Sequence, residues 1–405
     1  MNYQISIITP VYNAERYLPV MMDSLRDQTF GFENLEVLLV DDHSTDGSLA
    51  LLRQWEQQYP NVRVLQTERN SGGAATPRNT ALPHVSTPYV MFIDNDDTFA
   101  PDACRVLYEA AEKTGADLVS GYFRDVEMDG TPINEKNPSC DQTGERMYAL
   151  PQELEDAMHV NSIFWCKIYR TELIRRCGLT FPDDTLMEDT IFFTRYLLQC
   201  SSLYYTDQLI YNFHSRGDSL SRTPNANYVR MRARGYDYLF DLYEPYPACL
   251  EFNLRNVAPH FIPLIFSSER IAPDERLPLL QAWRRVVQYT VEHDLRNPEQ
   301  ALNLLFDAIC REDWPLALEL GGVVTEIRRH VETIHSLSHR LDVLDRSLRA
   351  SQAQTQQAIR EAQAAHQKAS EAQQQAALAA QTLEAVRASR SYRLAHGLAG
   401  ILHRG

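Results

Sequence analysis

The chain has 405 residues, of which 44% are hydrophobic, and carries a formal net charge of −15 at pH 7. That length exceeds the usual size of one domain and predicts at least two folded units. A strongly acidic chain repels phosphate backbones, which argues against nucleic acid as a partner. The seven cysteines are widely spaced and form no C-x-x-C pair, so neither a disulfide framework nor a structural zinc site is indicated.

No targeting or membrane-spanning signal is visible in the sequence. The first five residues lack a basic region followed by an apolar stretch, and no run of about 18 apolar residues occurs. We therefore expect a cytoplasmic protein, with any contact to the inner face of the cell membrane being peripheral.

Four short apolar runs rich in β-branched residues predict buried strands, at residues 5–9, 35–40, 62–65 and 89–93. The stretches between them have helical periodicity, which is typical of βαβ units. Such units predict an α/β fold with a mostly parallel sheet covered by helices. Ligands of these sheets bind beyond the carboxyl ends of the strands, so the residues that follow each run are the candidates for chemistry.

The pattern becomes helical from about residue 226, and no catalytic motif follows. The apolar positions between Val324 and Leu348 alternate steps of three and four, with an extra three-step at Ile334 to Leu337, which indicates a short coiled coil with a stammer. Residues 349–388 are rich in Ala, Gln and Glu without Gly or Pro, which favours a long helix or a weak oligomerisation stalk. The basic residues 389–405 are compatible with a membrane-surface role or with a solvated tail.

Three polar segments follow the predicted strands. Asp41 and Asp42 end the second strand, and a small-residue loop from Asn70 leads to Arg78, which could face an anionic ligand. The fourth strand delivers residues 94–97, Asp-Asn-Asp-Asp, in which three close carboxylates repel one another unless a cation neutralises them. This spacing favours a metal site, and the alternative is a solvated acidic turn.

Taken in order, these segments resemble the family 2 glycosyltransferases of GT-A fold over about the first 225 residues. Residues 6–13 are similar to that family's opening strand, residues 40–47 to its nucleotide-binding turn, and residues 93–97 to its D-x-D motif. The resemblance implies a GT-A, Rossmann-like sheet and transfer of a hexosyl or N-acetylhexosaminyl group. The expected donor is a nucleotide sugar, specifically a UDP-sugar, and the expected acceptor is a hydroxyl of a glycan or bacterial cell-surface polysaccharide.

The resemblance also implies individual roles. Pro10 and Tyr12 would border the base, Asp41 would pair with the uracil edge, and Asp94 would face the ribose. Asn70, Arg78 and Asn95 would complete the nucleotide site. Asp96 would bind Mn²⁺ or Mg²⁺, since hard oxygen ligands suit a cation that bridges the oxygens of a diphosphate leaving group.

Residues 186–193 resemble the family's E-D motif, which implies that Asp189, with Glu188 beside it, is the catalytic base for the acceptor hydroxyl. Without the family, acids in the first turn of a helix are explained by its dipole. One base and one metal imply a single displacement with inversion, so an α-linked donor would give a β-linked product.

Residues 211–221 resemble a loop that closes over the diphosphate, which makes Ser219 a candidate diphosphate contact. His214 stands where many relatives have Arg, which leaves three roles open: metal ligand, donor to phosphate, or packing. We expect contact with metal or phosphate.

Two other functions compete with this interpretation. A degenerate nucleotide-sugar binder could act as a scaffold organised by its coiled coil, although the intact acidic clusters argue against it. A nucleotidyltransferase would need a Gly-rich phosphate loop near the first strand, and residues 9–13 do not form one.

The predicted organisation has four parts. They are a catalytic domain at 1–225, a helical accessory region at 226–322, a coiled-coil or long-helix stalk at 323–388 and a basic amphipathic tail at 389–405. The predicted partners are a nucleotide-sugar donor, a glycan acceptor and, through the stalk, further copies of the chain.

Overall fold

The computed structural model of the chain describes residues 3–140, 142–158, 160, 163–215, 224–295 and 299–388. Ser219 and the basic tail at 389–405 lie outside these described residues, so the predictions made for them stay predictions. The contacts divide the chain into two units, Met1–Thr325 and Glu326–Gly405. The strand-bearing part and the helices that follow it, up to Thr325, therefore belong to the first unit.

Nine strands in the described part of the chain form one mixed sheet. They are β1 (Ile5–Val11), β2 (Leu35–Asp41), β3 (Val62–Gln66), β4 (Tyr89–Phe92), β5 (Thr98–Phe99), β6 (Leu118–Val126), β7 (Arg146–Ala149), β8 (Lys167–Arg170) and β9 (Ser202–His214). Their order is β3-β2-β1-β4-β8-β6-β9-β5, and β7 also pairs with β9.

The four strands predicted from the sequence pair in parallel with one another, and β6 and β9 form a further parallel pair. β1 lies between β2 and β4 and is parallel to both, with Ile5 opposite Leu35 and Tyr89. β3 continues the parallel pairing beyond β2. Every residue of β1 is buried, as expected for a strand covered on both faces. The predicted α/β class with a mostly parallel sheet is confirmed, while β8, which the sequence analysis did not assign, pairs antiparallel with β4 and β6.

Thirteen α-helices cover or follow the sheet in the described residues. They are α1 (Leu18–Arg26), α2 (Ser48–Gln58), α3 (Ala75–Ala81), α4 (Ala103–Thr114), α5 (Leu154–Ala157), α6 (Thr171–Arg176), α7 (Glu188–Leu197), α8 (Ala226–Leu242), α9 (Pro247–Leu254), α10 (Val257–Ser267), α11 (Arg276–Glu292), α12 (Gln300–Cys310) and α13 (Trp314–Ala388).

An aromatic cluster fills the core next to the carboxyl end of β4. The Phe92 ring lies 5.4 Å from those of Phe164 and Phe181, and 5.5 to 5.6 Å from those of Tyr169 and Phe192. The rings meet edge-on or tilted, which are the favourable arrangements for aromatic pairs. This cluster joins β4, β8 and α7, and so it fixes the ends of those elements relative to one another.

Helix α8 packs closely against the beginning of α7. A Cβ at Gly235 would lie 2.6 Å from the Met187 sulfur, so only glycine permits this approach. On its other side α8 is held by Trp283 of α11, whose indole nitrogen donates a hydrogen bond of 3.1 Å to the carbonyl of Val229. The position of α8 beside α7 is therefore fixed by packing on two sides.

The second unit contains the greater part of α13, and its described side chains are exposed apart from that of Arg328, which is half-buried. Seven of the eight apolar positions of the predicted seam are exposed: Ile327, Val331, Ile334, Leu337, Leu341, Leu344 and Leu348. The eighth, Val324, belongs to the first unit and is buried there. The long helix is thus present, and its pairing as a coiled coil stays a prediction. No helix in the described part of the chain is both long enough and apolar enough to cross a bilayer.

Candidate active site

A cavity of about 720 Å³ opens at the carboxyl ends of β1 and β4. Parallel strands bring their carboxyl ends to one edge of a sheet, which explains why segments far apart in sequence meet there. Most residues singled out from the sequence line this cavity: Pro10, Tyr12, Asn70, Arg78, Asp94, Asn95, Asp96, Glu188, Asp189 and His214. Most of the residues predicted for the site therefore line the same cavity.

The acids after β4 lie in different environments. The Asp97 side chain is buried and accepts hydrogen bonds from the Tyr211 hydroxyl, at 2.8 Å, and from the backbone N–H of His214, at 2.7 Å. Burial raises the pKa of Asp97 to about 7, and the charges of Asp96 and Asp94 add to this, while the nearby His214 acts in the opposite direction. Asp97 thus ties the turn after β4 to the end of β9.

Asn95 and Tyr211 also hold this turn in place. The Asn95 amide donates to the carbonyl of Pro10 at 2.9 Å, which links the ends of β4 and β1. The Tyr211 hydroxyl, which donates to Asp97, accepts a bond of 3.1 Å from the backbone N–H of Asp94. These bonds leave Asp96 between two anchored residues on the wall of the cavity.

Arg78 bridges the two acidic segments of the cavity. Its guanidinium donates to Asp94 at 2.7 Å and to Glu188 at 3.1 Å, and its side chain is only 4% exposed. The same group lies over the Phe164 ring, 4.4 Å from its centroid. Burial alone would lower the pKa of Arg78, but the surrounding carboxylates raise it above its usual value. A permanent positive charge is therefore fixed between the end of β4 and the start of α7.

Glu188 and Asp189 occupy the first turn of α7. Burial raises the pKa of Glu188, the neighbouring Asp189 raises it further, and Arg78 acts in the opposite direction. The Asp189 carboxylate accepts a bond of 2.7 Å from the backbone N–H of Thr190. The helix dipole favours both negative charges, and both acids line the cavity.

The two acids at the end of β2 have different positions. Asp41 is fully buried, accepts a bond of 3.0 Å from the Gln66 amide, and is not among the residues that line the cavity. Asp42 does line it, and its carboxylate accepts bonds of 2.9 Å from both the backbone N–H and the hydroxyl of Ser71. Asp42 therefore holds the loop that begins at Asn70 against the site.

The donor set of the cavity fits a divalent cation that takes most of its ligands from a substrate. No three His, Cys, Asp or Glu side chains within the described ranges are grouped so as to hold a metal by themselves. His214 is 5% exposed, its Nδ1 lies 3.7 Å from Asp97, and that atom has no hydrogen-bond partner in the part of the chain that the structure describes. Carboxylate oxygens and one imidazole nitrogen suit Mn²⁺ or Mg²⁺, which often bind through one or two protein groups plus phosphate oxygens.

Several lining residues were not predicted from the sequence. Asp42 had a visible signal, because it adjoins Asp41, but sequence alone does not tell which of two adjacent acids faces a cavity. Phe164 and Phe213 carry no motif, and only the tertiary structure brings them to the wall. Phe213 lies parallel to Trp165 at 6.0 Å, and Trp165 stacks on Tyr211 at 3.8 Å, so aromatic side chains support the end of β9.

Comparison with known proteins gives matches that centre on the sheet-bearing part of the chain. Residues 6–176 match the family model described as glycosyl transferase family 2. A poly(ribitol-phosphate) beta-glucosyltransferase from Bacillus spizizenii is 33% identical over 193 residues, which are 47% of this chain and 28% of that protein. The poly(ribitol-phosphate) beta-N-acetylglucosaminyltransferase TarS of Staphylococcus aureus is 29% identical over 189 residues, 47% of this chain and 31% of TarS.

A solved structure resembles more of the chain. The structure of S. aureus TarS residues 1–349 in complex with UDP-GlcNAc has a TM-score of 0.62 at 22% identity, covering 81% of this chain and 92% of that one. At this identity the likeness establishes the fold. The chain spans about a third or less of the length of both curated relatives.

Proposed function

We propose that the chain is a metal-dependent, inverting glycosyltransferase of family 2, which the match of residues 6–176 to the family model and the 33% identical relative support. Its donor is a UDP-sugar, and its acceptor is a hydroxyl of a cell-surface glycan polymer. The observation that carries the proposal is the cavity at the ends of β1 and β4, where the Arg78 guanidinium, a cluster of carboxylates and the start of α7 meet.

The donor nucleotide is bound at the β1 side of the cavity. Tyr12 is 48% exposed and lines the wall beside Pro10, so its ring is available to stack on a base. In this proposal Asn70 lies on the nucleotide side and Asp94 faces the ribose, while Asn95 holds the strand ends together. Asp41 is buried and supports the end of β2 through its bond with Gln66. The glucosyl and N-acetylglucosaminyl groups in the names of the two relatives support a hexose or N-acetylhexosamine donor.

Asp96 and His214 are the residues that would hold Mn²⁺ or Mg²⁺, because they present a hard oxygen and an imidazole at the wall of the same cavity. When bound, the cation neutralises charge on the diphosphate leaving group. Ser219, outside the described residues, is proposed as a further diphosphate contact.

Asp189 takes the proton of the acceptor hydroxyl as that oxygen attacks the anomeric carbon. The new carbon–oxygen bond forms on the face opposite to the leaving group, and the old bond breaks with its electron pair going to the diphosphate. The configuration inverts, so an α-linked donor gives a β-linked product, which agrees with the word beta in both relatives' names. Glu188 remains paired with Arg78 and holds the start of α7 in place.

The test is hydrolysis and transfer with a panel of UDP-sugars plus Mn²⁺ or Mg²⁺, comparing the natural chain with Asp96→Ala and Asp189→Asn. We expect one donor to be turned over, Asp96→Ala to abolish turnover, and Asp189→Asn to block transfer while donor binding survives. A carboxylate acting as general base contributes about 10² to 10⁴ in rate, so a loss of that size is the expected result for Asp189→Asn.

A matched control removes a carboxylate outside the cavity. Asp184 is exposed and paired with Arg234, so Asp184→Asn is expected to leave turnover unchanged. If the natural chain binds no nucleotide sugar with metal present, the enzyme proposal fails and a scaffold function organised by the long helix takes its place.

The proposals for assembly and cellular location follow the sequence-based expectations. We propose that the exposed apolar positions of α13 associate with further copies of the chain, as in a coiled coil. We also propose that the protein acts in the cytoplasm, with peripheral contact to the membrane through residues 389–405.

A further inference from the structure

Three phenylalanine or tyrosine side chains of the described residues line the candidate active site: Tyr12, Phe164 and Phe213. Tyr12 is assigned to the base, and the buried Phe164 ring carries the guanidinium of Arg78 on its face. Phe213 has neither task, although it is 40% exposed. Ligand cavities combine aromatic walls with a few placed polar groups, and Phe213 supplies such a wall beside the carboxylates.

The Phe213 ring is held in place by other aromatic rings. It lies parallel to the ring of Trp165, at a centroid distance of 6.0 Å and an interplanar angle of 4°. Trp165 in turn stacks on Tyr211 at 3.8 Å and meets Phe123 almost at a right angle, at 4.8 Å. Trp165, Tyr211 and Phe123 are buried, so Phe213 is the exposed member of this group.

Hydrogen bonds of β9 fix Phe213 relative to the turn after β4. The Tyr211 hydroxyl donates to Asp97 at 2.8 Å, and the backbone N–H of His214 donates to the same carboxylate at 2.7 Å. The Tyr211 hydroxyl also accepts a bond of 3.1 Å from the backbone N–H of Asp94. Phe213 therefore stands between two anchored residues of the strand. It directly precedes His214, one of the two residues proposed to hold the cation.

We propose that Phe213 is the surface on which the sugar ring of the donor stacks, while the diphosphate of the same donor lies at Asp96 and His214. The inference rests on the proposed function, and it adds the residue that recognises the transferred sugar. A nucleotide sugar carries its sugar directly on the diphosphate, so the sugar lies next to the cation site. The faces of a pyranose expose C–H groups and its hydroxyls lie mainly around the edge. A flat aromatic ring therefore covers one face without burying a hydroxyl that has no partner.

The chemistry of phenylalanine restricts which part of the donor it can recognise. The side chain has no charge and no hydrogen-bonding group, so it stabilises the apolar face of the sugar but not the phosphates. Loss of Asp96 or His214, in contrast, would weaken every ligand that contains the diphosphate. Because the Phe213 ring is already held by its aromatic neighbours, little conformational freedom is lost when the sugar binds.

The experiment is calorimetry in the presence of Mn²⁺, and it compares UDP with UDP-glucose and UDP-N-acetylglucosamine. These sugars are chosen from the names of the two relatives. Phe213→Ala is expected to weaken binding of the UDP-sugar that the natural chain prefers about fivefold and to leave the affinity for UDP unchanged. Phe213→Tyr keeps the ring and is expected to restore the affinity for the UDP-sugar. Phe213→Leu keeps an apolar side chain without a flat ring and is expected to restore less.

Phe252→Ala is the matched control, because it removes the same side chain from a position on α9 that is 49% exposed and does not line the cavity. The inference is overturned if Phe213→Ala weakens UDP and the UDP-sugar equally, if it changes neither affinity, if Phe213→Leu binds as well as Phe213→Tyr, or if Phe252→Ala has the same effect. A natural chain that binds neither UDP nor a UDP-sugar refutes the proposed function and the inference with it. UDP-sugar binding that does not depend on Phe213 refutes only the inference.

Discussion

Replacing Arg78 with methionine tests the arrangement of charges on which the site depends. The guanidinium is buried, touches Asp94 and Glu188, and lies over the ring of Phe164. Methionine has a similar length and can occupy the space against the aromatic rings, but it carries no charge. The substitution therefore leaves two carboxylates facing each other with no cation between them.

Removing one partner of a buried ion pair costs about 3 to 5 kcal/mol of unfolding free energy. We expect the lower end, about 3 kcal/mol, because the Asp94 side chain is 29% exposed and water can solvate it. For a unit of this size one kcal/mol corresponds to about 2 °C, so the melting temperature is expected to fall by about 6 °C.

The loss of stability should also depend on pH. The native pKa of Glu188 is raised above its usual 4.5 by burial first, and Arg78 opposes that rise. A carboxyl whose native pKa is raised binds more protons in the folded state than in the unfolded state, so its contribution to stability is lost as pH rises above 4.5. Without Arg78 the native pKa rises further. The loss of unfolding free energy caused by Arg78→Met should thus be smaller near pH 5 than near pH 7.5.

Thermal unfolding followed by circular dichroism at these two pH values measures both quantities. Arg26→Met is the control, because Arg26 forms an exposed pair with Asp23 and its loss should cost less than about 0.5 kcal/mol. An Arg78→Met protein that melts like the natural chain, or that loses equal stability at both pH values, would refute this account of the charges.

Three further predictions concern the core, the donor site and the stalk. Phe92→Ala removes the ring at the centre of the aromatic cluster and should cost about 4 kcal/mol in urea unfolding; a loss below 1 kcal/mol would contradict the packing described. Tyr12→Ala should weaken UDP binding about tenfold in calorimetry through the loss of base stacking, and unchanged affinity would place the base elsewhere. Leu341→Asp should convert an associated chain to a monomer in sedimentation, whereas continued association would exclude this seam as the interface.

The strands near the site were predictable because each is a short apolar run followed directly by polar residues. The structure confirms the four runs as β1, β2, β3 and β4, whose bounds differ from those predicted by two residues or fewer. The local sequence pattern identifies such strands, because a strand that is buried on both faces is apolar along most of its length. It also identifies the edge of the sheet at which the cavity opens.

Contacts between distant segments were not predictable in the same way. Arg78 and Glu188 are 110 residues apart, and no spacing rule connects a loop after β3 with the first turn of α7. Asp41 and Asp42 are adjacent, and successive side chains of a strand point to opposite faces. A shift of one residue therefore decides which of the two carboxylates lines the cavity. The packing of α8 against α7 has no sequence motif, because it depends on contacts between two helices that are not adjacent in a local pattern.

The Tyr211 hydroxyl, with its bonds to Asp94 and Asp97, has a consequence for the order in which the protein matures during synthesis. These bonds span 114 to 117 residues, and so they form only after β9 has left the ribosome. Contacts of such large separation close late and slowly, because a long loop must be ordered first. A nascent chain ending near Arg176 would display the acids of residues 94–97 without the strand that holds them in place. The proposed donor site is therefore completed in one late step, when β9 pairs with β6.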